Sequence, residues 1–290
     1  MESAPVKLVR NGFRSYRFSK NLSKTFSYAI LIIMAALMLL PFVWMLSASL
    51  KLDKDVFGFP IEWIPEVPQW SNYARIWTQI PFLTFFANTA KLTVIITSLQ
   101  LLTSSLAGYA FAKLNFKGRD FVFLAYIASI AIPWQSYMVP QFIMMRRLNL
   151  FDTHLALILL QAFSAFGVFL MRQFFISIPN DLIEAARIDG LSEYGIYYRI
   201  MLPLSKPALA TLTIFTFVFV WNDFMGPLIY LNSESLKTIQ LGLRLFIQQY
   251  SADYALIMAA SLVSLVPVVI LFLSFQRFFV EGIATTGVKG

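Results

Sequence analysis

A short charged stretch inside an otherwise apolar chain decides how this protein must fold. Residues 184–203 read EAARIDGLSEYGIYYRIMLP, and apolar runs at 155–175 and 207–231 flank them. Apolar residues make up 58% of the 290 residues and charged residues only 13%, whereas a soluble domain has about 25% charged residues. Such a chain needs lipid as its solvent. We therefore expect the charged stretch to form a loop at one face of a membrane.

Six apolar runs are long enough to cross a membrane, whose ~30 Å hydrocarbon core takes about 20 helical residues. They are residues 26–49, 89–111, 121–145, 155–175, 207–231 and 254–279. Only helices and closed barrels satisfy every backbone polar group in lipid, so these runs predict an all-α membrane protein with six transmembrane helices. The third run contains Pro133 and Pro140, which predict kinks. The first run is longer than the 7–15 residues of a signal-peptide core, so we expect a span rather than a cleaved leader.

The positive charges indicate the orientation of the chain. The N-terminal segment, residues 1–25, carries Lys7, Arg10, Arg14, Arg17, Lys20 and Lys24. With six spans, the cation-rich loop at 177–206 and the C-terminal tail at 280–290 lie on the same side. Because cytoplasmic loops hold the excess of Lys and Arg, we expect both termini and that loop in the cytoplasm. The domain organisation is then a basic segment, a six-span domain at 26–279 and a cytoplasmic tail.

The residue inventory excludes most catalytic and metal chemistry. The chain has no cysteine and one histidine, His154, so it offers neither a thiol nucleophile nor a two-histidine metal site. Its 23 Lys and Arg exceed its 15 Asp and Glu, but they cluster beside the spans, which favours lipid contact over nucleic acid. Gly190 and Gly195 have the spacing of a phosphate-binding P-loop, yet Ile196 stands where that motif needs Lys. We expect a non-catalytic chain without a metal or cofactor of its own.

The loop at 177–206 has the pattern of two short helices. Asn180 is placed to cap the first helix, and Gly190 can adopt a left-handed conformation that ends it. Residues 192–201 form the second helix. The small side chains of Ala185 and Ala186 would allow another protein to approach closely. The alternative is an amphipathic helix lying on the lipid surface, but the acidic residues of the loop disfavour contact with anionic lipid.

The spacing within this loop resembles the loop signature of permease subunits of binding-protein-dependent ABC importers. The coupling residues that the resemblance implies are Glu184, Ala185, Ala186, Asp189, Gly190, Ile200, Leu202 and Pro203. Other parts are similar to the smaller permease subunit of bacterial carbohydrate importers of the maltose-transporter type. These parts are Asn72-Tyr73, Trp134-Gln135, Trp221-Asn222-Asp223 and the ending at 279–290.

The resemblance implies a permease subunit that moves a carbohydrate, in particular an oligosaccharide, across the bacterial cytoplasmic membrane by alternating access. It implies a second permease subunit in a heterodimer, two ABC ATPase subunits that bind ATP and Mg, and an extracytoplasmic solute-binding protein. Glu184 would be the main charged contact to an ATPase subunit, and Gly190 would aim the coupling helix. Within the importer class, amino acids, peptides and phosphate stay open as substrates.

Polar side chains within the spans are candidates for the substrate pathway, because aromatic faces and hydrogen bonds recognise neutral sugars and polar groups are unfavourable in lipid. The candidates are Gln100, Trp134, Gln135, Tyr137, Gln161, Trp221, Asn222 and Asp223. Hydrogen bonding between helices is the alternative role for each of them. In an ion-coupled secondary carrier, which is the competing class of function, Asp223 would be the proton site.

Two outer segments are candidate contacts for partners. The loop at 51–81 is rich in Pro and Trp, including Trp63, Trp70 and Trp77. An aromatic belt at the membrane interface and a docking surface for an extracytoplasmic partner both account for these tryptophans. The segment at 231–253, with Gln248 and Gln249, would contact the solute-binding protein or be a solvated loop.

Overall fold

The computed structural model describes residues 7–247 and 253–287, with side chains from 24 to 247 and from 253 to 277. This part of the chain contains helices and no β-strand, which confirms the all-α prediction. Four helical stretches are long and apolar enough to cross a membrane, and two further candidates are pairs of helices bent at a break. The total reaches six if each bent pair is one span. Gln248 and Gln249 lie outside the described residues.

The first two candidate spans are continuous helices. Helix α1 (Lys7–Ser49) contains the first span, Lys24–Ser49. The expected N-terminal segment therefore continues into this span as helix from Lys7 onward. After a short 3-10 turn at Asp53–Asp55 and helix α2 (Ser71–Gln79), helix α3 (Phe82–Lys113) begins seven residues before the predicted start at 89. The apolar residues after Pro81 extend it.

The third predicted span is divided at a right angle. Helix α4 (Arg119–Ala128) and the 3-10 turn Ser129–Ala131 lead to Ile132, and helix α5 (Trp134–Arg147) leaves in a direction 100° away. Ile132 has φ −85° and ψ 110°, as expected for a residue that precedes a proline. The chain thus changes direction completely at Pro133, which is more than the predicted kink.

The remaining helices follow in chain order, and several are short. They are α6 (His154–Gln161), α7 (Ala165–Ser177), α8 (Asn180–Ile188), α9 (Glu193–Ile196), a π-helical turn (Tyr197–Met201), α10 (Leu202–Leu204), α11 (Lys206–Trp221), α12 (Met225–Tyr230), a 3-10 turn (Glu234–Leu236), α13 (Ile239–Leu245) and α14 (Tyr254–Gly287). The predicted span at 207–231 is interrupted after Trp221. The last helix continues to Gly287 and so includes most of the expected tail.

Helix α3 lies at the centre of the described structure and packs against α7 and α11, whereas α14 packs against α1, α2 and α11. Glycines bring α3 and α7 unusually close. A Cβ atom at Gly108 would lie 2.7 Å from the Cβ atom of Met171, and one at Gly167 would collide with Ser104. Small residues of this kind permit the close helix contact that is favoured in membranes.

Gly108→Ala should therefore force α3 and α7 apart and destabilise the protein by about 1–3 kcal/mol, the usual effect of overpacking. Thermal unfolding of the detergent-solubilised complex measures the change. Gly58→Ala is the matched control, because its new Cβ atom would come no nearer than 3.4 Å to any atom beyond its chain neighbours. Equal unfolding temperatures for the two variants would contradict the close packing.

Candidate functional site

The first helix of the charged loop, α8, turns one face inward. Ile183 and Ala186 are buried, with 3% and 4% of their surface exposed. They join a cluster of α3 and α7 side chains that includes Met171 and Phe175. Ala185 and Ala186 were both predicted to face a partner protein, but only Ala185 is on the exposed face of α8. Ala186 instead lets α8 sit close to the protein's own spans.

The predicted helix cap at Asn180 is wrong. Helix α8 begins at Asn180 and has no side-chain cap hydrogen bond. The Asn180 amide oxygen accepts a hydrogen bond from Lys113 Nζ at 2.7 Å, and the same ammonium group donates to the carbonyl oxygen of Ile178 at 2.7 Å. Lys113 is the last residue of α3. This cation therefore ties the end of a span to the start of the loop, a role that spacing along the chain does not reveal.

Gly190 ends helix α8 as predicted. Its φ is +81°, in the left-handed region that favours glycine. The Gly190 N–H donates to the carbonyl of Arg187 and the Leu191 N–H donates to the carbonyl of Ala186, both at 3.0 Å. These two bonds are the pattern of a Schellman motif. Leu191 packs against the same buried cluster as Ala186, which fixes the direction in which the chain leaves α8.

One carboxylate joins both loop helices to the central span. Glu193 Oε1 accepts a hydrogen bond from Arg187 Nε at 2.8 Å, and Glu193 Oε2 accepts one from the Tyr109 hydroxyl at 2.7 Å. Arg187 belongs to α8, Glu193 begins α9 and Tyr109 belongs to α3. The bonds from Arg187 and then from Tyr109 hold the pKa of Glu193 below its usual range. We call these three residues the Glu193 clamp.

The second helix of the loop enters the core more deeply. Ser192 caps it by accepting from the Gly195 N–H at 3.3 Å. Ile196 and Met201 are completely buried, and the Tyr197 hydroxyl lies 2.8 Å from Ser105 Oγ of α3. The chain then bends by 77° between Leu204 and Lys206 to enter α11.

The predicted coupling residues thus differ in their exposure. Ile200 and Leu202 are half-buried, whereas the exposed ones are Glu184, Ala185, Asp189, Gly190 and Pro203. Three large residues that sequence reasoning did not select are also uncovered: Ile188 is 86% exposed, Tyr194 81% and Tyr198 72%. Large apolar and aromatic side chains within a charged loop were the sequence feature that could have identified these three residues.

The polar residues of the spans form a chain of hydrogen bonds. Thr216 Oγ1 donates to Gln100 Oε1 at 3.1 Å, and Gln100 Nε2 donates to the carbonyl of Gln161 at 2.7 Å. Gln161 Nε2 in turn donates to Asp223 Oδ2 at 2.8 Å, while Asp223 Oδ1 accepts from the Gly226 N–H at 3.0 Å. Three of the predicted pathway residues are therefore linked, and their bonds tie α3, α6 and α11 together.

Trp221 and Asn222 lie at the end of α11, beside this chain of bonds. Trp221 is buried and donates from Nε1 to the carbonyl of Ser264 in α14 at 2.9 Å. Asn222 is exposed, and its Oδ1 accepts from Gln240 Nε2 at 3.3 Å. Trp221 thus has the contacts of a helix-packing residue, while Asn222 is accessible.

In the described structure the α5 candidates do not belong to this chain of hydrogen bonds. Trp134 donates to Gln141 Oε1 at 2.8 Å within its own helix, and Gln135 and Tyr137 are exposed. Trp134 also packs against a buried cluster that includes Leu157 and Val220.

The described residues contain no group of three His, Asp or Glu side chains arranged to hold a metal ion. A small cavity beside Asp223 is lined mainly by apolar side chains such as Leu92 and Leu157. Two of its polar residues, Gln161 and Thr238, have buried Oε1 and Oγ1 atoms that lack hydrogen-bond partners.

Glu193→Gln should loosen the charged loop, because the amide has one acceptor oxygen instead of two and lacks the negative charge that attracts Arg187. Hydrogen–deuterium exchange should then be faster at residues 180–204. Because the pKa of Glu193 is lowered in the folded protein, its contribution is complete above the ordinary Glu value of about 4.3 and is lost as pH falls below it. The acid-dependent loosening should be absent from the variant. Glu184→Gln, which leaves the clamp intact, should exchange like the wild type; equal loosening in both would refute the clamp.

Comparison with known proteins places the chain in a family. The family of binding-protein-dependent transport system inner membrane components matches residues 100–284, well over half of the chain. The arabinooligosaccharides transport system permease protein AraQ of Halalkalibacterium halodurans is 37% identical, over 86% of this chain and 91% of that protein. The sulfoquinovosyl glycerol transport system permease protein SmoH of Agrobacterium fabrum is 35% identical, over 94% and 98%.

A solved structure has the same fold. A chain of a bacterial ABC transporter involved in the import of the acidic polysaccharide alginate superposes with a TM-score of 0.80. The two chains are 26% identical, and the match covers 90% of this chain and 98% of the other. With the matches above, this shows that the chain belongs to the inner membrane components of binding-protein-dependent transport systems, the permease subunits of ABC importers.

Proposed function

We propose that this chain carries a carbohydrate, in particular an oligosaccharide, across the bacterial cytoplasmic membrane by alternating access. The observation that carries the proposal is the loop at 177–206, a bent helix pair fixed to the central span with one face left uncovered. The names of the relatives support a glycan-like solute, since they refer to arabinooligosaccharides and sulfoquinovosyl glycerol. A non-sugar solute is the second candidate within the same class.

The uncovered face of the loop is the proposed docking site for an ABC ATPase subunit. Glu184 and Asp189 give it negative charge, Ala185 gives close approach, and Ile188 and Tyr194 give apolar surface. Apolar anchors surrounded by polar groups are the usual composition of a binding surface. ATP and Mg would be bound, and ATP hydrolysed, by two such partner subunits rather than by this chain.

The buried face of the loop is the proposed route of the mechanical signal. A displacement of α8 would reach α3 through the Glu193 clamp and through Lys113, and a displacement of the second helix would reach α3 through Tyr197 and Ser105. Because a packed helix moves as a rigid body, α3 would then shift relative to the rest of the bundle. Release of solute into the cytoplasm would follow.

The proposed assembly contains a second permease subunit, two ATPase subunits and an extracytoplasmic solute-binding protein. In it the chain has six spans with both termini in the cytoplasm; the bent pair of α4 and α5 counts as the third span, and the fifth begins at α11, after the loop at 177–206. The basic segment at 1–25 and the tail at 280–290 flank the permease domain at 26–279. The solute would pass the linked residues Gln100, Gln161 and Asp223 and the accessible Asn222, and we propose α5 as a second lining element through Trp134, Gln135 and Tyr137.

Glu184→Arg should reduce substrate-stimulated ATP hydrolysis by the assembled complex. Reversing a charge at the docking site should weaken docking by about 2 kcal/mol, roughly 30-fold in affinity. The measurement is ATPase activity in lipid nanodiscs with sugar-loaded binding protein, with assembly checked by size-exclusion chromatography. Asp55→Arg, a reversal at an exposed carboxylate of the outer loop, is the control and should leave the activity unchanged. A fully active, fully assembled Glu184→Arg complex would refute the docking site.

Uptake by the reconstituted complex should require ATP and persist in the presence of an uncoupler. Asp223→Asn keeps the shape of the side chain and removes its charge, so ATP-driven uptake should survive at a reduced rate. In an ion-coupled carrier the same substitution would abolish uptake, the chain would transport alone, and an uncoupler would stop it. Those results would show an ion-coupled secondary carrier instead of a subunit of an ABC importer.

A further inference from the structure

Hydrogen bonds close the outer loop between α1 and α2 at its base, between residues 49–51 and residues 69–72. We call this closed base the neck. The Gln69 N–H donates to the carbonyl of Leu50 at 2.8 Å. The buried Asn72 side chain donates from Nδ2 to the carbonyls of Ser49 at 3.0 Å and Lys51 at 2.9 Å. These bonds fix the end of α1 against the start of α2. The residues between them therefore leave and return at one point.

The closed loop folds back along α1 instead of extending away from it. The ring centroids of Trp63 and Trp44 lie 5.9 Å apart in an edge-to-face contact, and Ser47 Oγ donates to the carbonyl of Glu62 at 3.3 Å. Trp44 precedes the last residue of α1 by five positions, which is roughly 7 Å along a helix. The middle of the loop thus lies beside the last turns of the span, level with its apolar end.

The loop presents apolar side chains that the chain itself does not cover. Phe59 is 94% exposed, Ile64 85% and Val67 69%. Helix α1 is equally uncovered: none of its most apolar 18-residue stretch is buried, and Ile33, for example, is 60% exposed. The contact between Trp63 and Trp44 joins the two surfaces. An apolar surface of this kind needs a cover, and lipid is the cover that surrounds a transmembrane helix wherever no protein packs against it.

The part of the loop that folds back along α1 contains few charged residues. Residues 56–69 contain only two charged groups, those of Glu62 and Glu66. Tryptophan rings are favoured at the boundary between headgroups and acyl chains, where one edge of the ring is apolar and the other meets water. The charged residues of the loop are concentrated immediately before this stretch, at Lys51, Asp53, Lys54 and Asp55.

We propose that residues 56–68 are an interfacial membrane anchor that lies in the headgroup–acyl boundary beside α1, with Phe59 and Ile64 in contact with lipid. The assignment to the outer leaflet rests on the orientation given under the proposed function, whereas the lipid contact itself does not. The anchor fixes the depth of the neck and hence of the first span. Of the two outer segments, it leaves the stretch after α12 as the surface for a solute-binding protein.

The absence of cysteine from the chain makes a direct test simple. Phe59→Cys and Ile64→Cys carry a nitroxide spin label in the complete complex, in whose partner subunits any cysteines have been replaced. The complex is reconstituted in nanodiscs of phosphatidylcholine, which has no net charge, because anionic lipid would repel the two carboxylates of the loop. Collision with oxygen, which concentrates in lipid, is compared with collision with a water-soluble nickel chelate. Ile33→Cys on the bare face of α1 is the lipid reference, and Lys54→Cys, an exposed position in the charged part of the loop, is the water reference.

We expect the ratio of oxygen to nickel collisions at positions 59 and 64 to be several-fold higher than at position 54 and to approach that at position 33. A ratio equal to that at position 54 would place the loop in water and overturn the proposal. Protection from both reagents would also overturn it, because a protein partner would then cover the loop. Sugar-stimulated ATPase activity of the unlabelled complex is measured in parallel; lipid-like ratios without that activity would refute the proposed function and leave the anchor in place.

Discussion

The arrangement of the two loop helices, α8 and α9, depends on the Glu193 carboxylate. It accepts one hydrogen bond from the first loop helix, through Arg187, and one from the central span, through Tyr109, while its own backbone starts the second loop helix. Two oxygens on one side chain thus hold three helices in register. Charge-assisted bonds are short and directional, so they fix the relative positions of the three helices. An apolar contact at the same place would permit sliding.

The rest of the structure supports the Glu193 clamp from two directions. The glycine contacts at Gly108 and Gly167 bring α3 and α7 together. Helix α3, which contributes Tyr109 to the clamp, is therefore itself held firmly. Beside the clamp, the left-handed Gly190 and the 77° bend between Leu204 and Lys206 change the direction of the chain at the two ends of the second loop helix. The loop consequently has an inner face set by packing and an outer face free for recognition.

Sequence periodicity and composition could predict the helical class, the candidate spans and the turn at Gly190, because each depends on local chemistry. They could not predict the clamp, since Tyr109 and Glu193 are 84 positions apart. The same limit applies to Asn180: its spacing suits a cap, but a lysine from a distant helix takes its amide oxygen. At Ala186, composition indicated a small side chain without indicating which side it faced. The right-angle turn at Pro133 exceeds what a proline alone requires, and the packing of α4 against α7 accompanies it.

The neck between Leu50 and Gln69 has a consequence for how this protein can change over evolutionary time. Because backbone and Asn72 side-chain bonds close the loop at its base, the positions of α1 and α2 do not depend on the number of residues outside the neck. Doubling the length of such a loop costs only about 0.6 kcal/mol in closure entropy. Insertions there can diversify the surface of the loop without disturbing the bundle, so related chains can differ in this loop while sharing one set of spans.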